Sequence, residues 1–228
     1  MPIASSVLES VAKALSEAHD VRVIFYGDEC CTDGKTIYLP SLPDKVPEDV
    51  ITLLRGFLDH EAGHIAFTNF RDYKGLPKNK TEQFALNAIE DIRIELKMES
   101  IWKGCKVNFE RSHEYSIKKI LDPKGKGKKW EDYDPVTKIF LLFISVARYG
   151  YDSEIFVKHS TEYSPVIDEL TDEIEESKEL NSTKEAYKLA VRVLEKIEHI
   201  VEKKLATGRK KVRRKVSKKG PKKGKSAE

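Results

Sequence analysis

The chain has 228 residues, 39% of them apolar and 35% charged, enough for one hydrophobic core with or without an appendage. The longest mostly apolar run, Ile139 to Ala147, is too short to cross a bilayer, so a membrane-embedded role is excluded and a cytoplasmic setting is expected. The formal charge of +3 is unevenly divided: residues 209–228 hold eleven Lys/Arg against one acid, a net of +10, which leaves −7 for residues 1–208 and restricts any polyanion partner to the tail.

The chain opens on an amphipathic pattern, with Val7, Val11, Ala12, Leu15 and Ala18 recurring every three to four residues, and this predicts a first helix. It lacks the uninterrupted apolar stretch of a signal peptide. Val21 to Tyr26 and Thr36 to Leu39 are rich in β-branched and aromatic residues. They read as a β-hairpin or two short strands around the turn at Thr32 to Lys35. Between them lie Cys30 and Cys31; with Cys105 they make an odd count of 3, which suits a reducing compartment better than a disulfide framework.

Pro47 suits the first turn of a long helix through Phe67. After a loop rich in Gly, Pro, Asn and Lys (72–80), Thr81 opens a second long helix to Trp102. Further helices are expected near Arg111 to Leu121 and Pro135 to Arg148, and the sequence is again strongly helical from Leu170. Ser182 with Glu185 forms a capping-box signature for the last helix, whose apolar stripe is Ala186, Leu189, Val193, Ile197, Ile200 and Val201. The segment after Thr207 has almost no large apolar residue and is expected to be disordered when free.

The chemistry concentrates in the first long helix. His60, Glu61 and His64 form HExxH; two histidines four apart on a helix project from one face and can both meet a zinc ion. Glu61 falls where a water beside the ion would sit and can act as general base. Ala62 and Gly63 between them are small enough for another helix to approach. A third ligand is expected from the next helix, where Asn87, Glu90 and Asp91 are spaced i, i+3 and i+4. Glu90 ranks first as ligand, which makes Asp91 the carboxylate that holds a ligand histidine by its free ring nitrogen; the reverse assignment stays open, with Asn87 as a supporting donor or nearer the metal. His113, Tyr115 and Arg93 are candidates for stabilising an oxyanion, and none is assigned.

Three strings in order, TDGKTIYLPSLP (32–43), LDHEAGHIAFTNF (58–70) and NAIEDIRIELKM (87–98) followed by Gly104, resemble the N-terminal metallopeptidase-like domain of CobT-like proteins, relatives of a cobaltochelatase subunit that also occur in phage genomes. The resemblance covers about Val21 to Gly104. It implies a zincin-like domain in which Lys35 to Leu39 is either the edge strand bordering the cleft or a simple hairpin arm in a small sheet, and host cytoplasm if the chain is phage-encoded. Many such proteins continue into a von Willebrand factor type A domain, whose DxSxS motif does not occur here.

The expected architecture is therefore α+β: a mostly helical zincin-like metallopeptidase core with a small β-hairpin or sheet (1–110), a helical C-terminal part (111–206) and a disordered basic tail (207–228). The expected activity is hydrolysis of a peptide or protein substrate with Zn2+ on His60, His64 and Glu90 and with Glu61 as base. The alternative is a non-catalytic CobT-like structural or adaptor protein. In either case the tail, residues 209–228, is a candidate contact for nucleic acid or an acidic partner.

Overall fold

The computed structural model describes residues 5–27, 30–41, 48–121 and 129–217. Helix α1 (Ser5–Ser16) precedes strands β1 (Arg22–Phe25), β2 (Cys31–Thr32) and β3 (Thr36–Leu39), and the rest of the described chain is helical. The helices are α2 (Glu48–Phe67), α3 (Phe70–Gly75), α4 (Lys80–Ile101), α5 (Lys103–Leu121), α6 (Pro135–Tyr149), α7 (Glu154–Asp168), α8 (Thr171–Ser177) and α9 (Thr183–Ser217), with a short 3-10 turn at Trp130–Asp132. The α+β reading holds, and no described helix is long and apolar enough to cross a membrane.

On α1 the core-facing positions are Leu8 and Ala12, while Val7 and Val11 are exposed. Ala12 of the expected stripe is fully buried and Leu15 and Ala18 pack partly buried against the same cluster, while Leu8 takes the core position in place of Val7 and Val11. The sheet corrects a second expectation. β1 pairs with β3 in parallel and β2 pairs with β3 antiparallel, in the order β1-β3-β2. The hairpin is therefore β2-β3 around Gly34, and Thr36 to Leu39 is the central strand rather than an edge. With Ile37 and Leu39 fully buried and both edges bonded, β3 has no free ladder for a peptide.

Helix termini follow the local chemistry. Asn79 caps α4 by accepting from the Glu82 amide, and Asp134 caps α6 ahead of Pro135, whose missing N–H costs nothing there. Asn69 caps α3, which occupies the first part of the expected 72–80 loop. α5 begins eight residues before the predicted start, because Cys105 and Phe109, four apart, both bury against α2. α7 had no counterpart in the sequence reading: Pro165 inside it breaks the pattern that periodicity relies on.

Two buried clusters share α4. Met98 joins Leu54, Leu58, Ala62 and Phe109 against the sheet, whereas Ala85, Leu86, Ile89 and Ile92 join α6 to α9. The α9 stripe packs as its periodicity requires, with Ala186, Leu189, Val193, Ile197 and Ile200 buried. The backbone of α9 stays helical through Ser217, consistent with the high helix propensity of Lys and Arg; residues 218–228 of the expected tail lie outside the described residues.

Candidate metal site

The HExxH segment lies in the last turns of α2, and α4 crosses it closely enough that a Cβ on Gly63 would meet Met98 at 3.0 Å and Ile94 at 3.4 Å. That approach brings two rows together. On α2 and its continuation the row is His60, His64 and Thr68, and on α4 it is Asn87, Asp91 and Glu95, each row spaced by four so that one helix face carries all its members. His60 Nδ1 lies 2.9 Å from Glu95, and His64 Nε2 lies 3.2 Å from Asp91 Oδ1. Partners descend along α4 as positions climb along α2, the register of antiparallel helices.

Among the described residues, His60, His64 and Asp91 form a group whose ligand atoms all lie within 4.8 Å of one another. Asp91 Oδ1 stands 3.6 Å from His60 Nε2 and, although buried, has no hydrogen-bond partner among the described residues. Its second oxygen accepts from Asn87 Nδ2 at 2.9 Å, and Asn87 in turn accepts from the Tyr73 hydroxyl. Burial first, and then the Asp91 charge, push the Tyr73 phenol up, so it remains a donor.

The hydrogen bonds fix which ring nitrogens are free. A carboxylate can only accept, so Glu95 must receive a proton from His60 Nδ1 and leave Nε2 as the outward-facing atom. Thr68 Oγ1 donates to Glu90 Oε1 at 2.8 Å, which uses its single proton, so at 3.0 Å from His64 Nδ1 it must accept. Nδ1 is then the donor to Thr68, which leaves Nε2 as the atom turned toward Asp91. Both Nε2 atoms thus face a carboxylate oxygen that has no donor of its own. Such a set is costly to bury unless a cation meets it.

Two nitrogens and one oxygen at this spacing suit zinc. In the absence of a metal the cation is a proton. Burial opposes charge on His60, but Asp91, Glu95 and Glu61 outweigh it and raise its pKa to about 10. A metal held by His60 Nε2 would therefore compete with this proton for the ring nitrogen.

Glu90, the residue ranked first as third ligand, is placed elsewhere. It is fully buried and accepts from Arg93 Nη2 at 2.6 Å and Nε at 2.8 Å, from Thr68, and from Thr183 at 2.8 Å. One residue along a helix turns a side chain by about 100°, enough to send Glu90 toward Arg93 and α9 and Asp91 toward the histidines. Asn87 supports Asp91 and is not in the ligand group.

Glu61 is buried, and with His60 and Asp91 it lines a cavity of about 310 Å³ that extends to Phe109, His113, Arg148 and Tyr149. The Cys30 thiol lies beside Glu61 and is pushed upward by burial and by that carboxylate, so it stays protonated. Of the three oxyanion candidates, His113 lines this cavity, stacked on Tyr149 at 3.8 Å and held neutral by burial with its pKa down to about 4. Arg93 is committed to Glu90 and the Phe67 carbonyl, and Tyr115 is exposed.

Glu95, Thr68 and Thr183 escaped the sequence reading, yet a signal for the first two existed. Both extend an i, i+4 row already begun by a candidate residue. Thr183 lies 93 positions from Glu90 and has no local signature.

The family model described as cobalamin biosynthesis protein CobT matches residues 5–120. No curated protein and no solved structure matches the chain. The matched segment is more than half of the 228 residues and contains both rows of the candidate site. The chain belongs to the CobT family.

Proposed function

We propose that this protein is a metal-binding CobT-like protein, in which His60 Nε2, His64 Nε2 and Asp91 Oδ1 hold one zinc ion. The observation that carries this reading is the convergence of the three atoms around a buried Asp91 oxygen with no hydrogen-bond donor. The family's description supports a place in corrinoid chemistry, where the chain would act as a structural or adaptor member of a larger assembly. The test is metal analysis of the purified chain. About one zinc per chain is expected, lost in His60→Ala, His64→Ala and Asp91→Ala. Folded wild-type protein that neither carries zinc nor binds added zinc would overturn the reading.

A second reading, hydrolysis of a peptide bond on a zincin-like site, is favoured by one residue. Among the described residues Glu61 joins neither the candidate ligand group nor an ion pair, but it lines the cavity beside His60 and Asp91. Zinc in such a set supplies a Lewis acid that acidifies water and polarises a carbonyl. Glu61 would take the proton from that water and return it to the leaving amine. His60 and His64 are kept in the right ring orientation by Glu95 and Thr68. Under this reading Glu61→Gln retains zinc and loses all turnover of a peptide library. The first reading expects no turnover from wild type either.

A further inference from the structure

We propose that Thr183, the first residue of α9, is a positioning residue for the metal group, acting on His64 through Glu90 and Thr68. The proposal rests on the zinc reading above, and it places part of the site's support outside residues 5–120, the segment shared with the family.

A threonine at a helix start commonly spends its hydroxyl on the cap, but here Ser182 does that work: its Oγ accepts from the Glu185 amide at 3.2 Å and its carbonyl from the Ala186 amide at 3.0 Å. Glu185 closes the box by reaching back to the Asn181 amide at 2.8 Å. The Thr183 hydroxyl is thus released, and it is 2% exposed. It accepts from the Asn69 amide at 2.8 Å and donates to Glu90 Oε1 at 2.8 Å.

Glu90 Oε1 is therefore the meeting point of Thr183, Thr68 and Arg93, all with donors directed at it. With the carboxylate pinned as an acceptor, the Thr68 proton has one destination, and His64 Nδ1 must carry the hydrogen that Thr68 accepts. Without the Thr183 hydroxyl, Glu90 Oε1 keeps Arg93 but loses one of its three donors and the Asn69 amide loses its acceptor, so the Thr68 hydroxyl is held less firmly in its donating orientation. Thr68 can then donate to His64 instead, which moves the ring proton to Nε2 and blocks the ligand atom. The Asn69 amide, bonded to the same hydroxyl, sits next to Thr68 in the chain and adds a second hold on it.

The experiment uses the full chain as wild type, Thr183→Val, Thr183→Ser, Thr183→Ala and Thr68→Val. Two readouts are taken: zinc affinity by competition with a chromophoric chelator, and the ring ¹⁵N shifts of His64 in zinc-free protein. Loss of Thr68 is expected to weaken zinc binding by about 10–100-fold, as direct partners of ligand histidines do. Thr183→Val and Thr183→Ala, one bond further out, are expected to weaken it by about threefold to tenfold, with Thr183→Ser close to wild type. The His64 Nδ1–H form should dominate in wild type and in Thr183→Ser and lose population in Thr183→Val. Unchanged zinc affinity and unchanged ring shifts in whichever of the Val and Ala variants folds would overturn the proposal, and so would a wild-type His64 protonated at Nε2 alone. Wild-type protein that fails to bind zinc overturns the metal reading instead, and the ring shifts then decide the relay by themselves.

Discussion

Asp91 and Glu90 are adjacent carboxylates on α4 that differ by one methylene and by what they face, and the difference is testable by conservative substitution. With zinc held as proposed, Asp91→Asn removes a negative charge from the ligand group and should strip the ion. Glu90→Gln should keep measurable zinc, but it leaves Arg93, 2% exposed, without its anion, so the folded state should lose about 3–5 kcal/mol in urea unfolding. If Glu90→Gln stripped zinc while Asp91→Asn retained it, the ligand assignment would reverse. His60 adds a dependence on pH. Its folded pKa of about 10 lies above the ordinary 6.5, so in metal-free protein its ion pairs contribute stability that is fully present below about pH 6.5 and is lost as pH rises through about 10. Zinc must displace that proton, so zinc affinity should climb with pH over the same window. Affinity that is flat across it would mean that no proton leaves the site on binding.

At the level of elements, the rows at 60/64/68 and 87/91/95 are the interface of α2 with α4, and glycine is what lets α2 pack closely on α4 and on α5. A Cβ on Gly56 would stand 2.8 Å from the Asn108 carbonyl oxygen and 2.7 Å from Ser112 Oγ, at the contact with α5. Backbone cannot yield as a side-chain tip can. Gly56→Ala should therefore destabilise the fold by about 1–3 kcal/mol, outweighing the roughly 0.5–1 kcal/mol that alanine gains in a helix. Gly104, on α5 with nothing within 4 Å of its would-be Cβ, gives the opposite sign: alanine there should raise the melting temperature modestly. HExxH and the helix that carries it were legible in the sequence because four-residue spacing is a local property. Which carboxylate faces the histidines was not, because Glu90 and Asp91 both lie on the half of α4 that faces α2 and α9, and only the packing decides which neighbour each meets. β3 was misplaced as an edge for a similar reason. Short strands reveal their pattern but not their pairing, and a two-residue β2 leaves almost no trace in composition.

On the scale of the whole molecule, α4 is the shared wall: one end of it packs with the sheet and α1, the other with α6 to α9, and the candidate metal group lies between. The C-terminal helices therefore bear on the site through the α4·α9 contact rather than hanging from it. Beyond that contact the chain changes character. The last buried residue of the α9 stripe is Ile200, and the net charge of +10 on residues 209–228 follows a body carrying −7. Truncation after residue 208 removes no described core residue, so folding and zinc content should survive it. What it removes is the main source of attraction for phosphates. If the segment contacts DNA or RNA, the affinity of the intact chain should fall steeply between low and physiological salt, because each neutralised phosphate adds about 0.9 to the slope of log affinity against log salt on duplex DNA. A gel-shift series on intact and truncated chains should then show binding at low salt for the first and none for the second. Equal affinity in both forms would place the contact on the acidic body, where Coulomb repulsion opposes it, and would leave the basic segment without a nucleic-acid role.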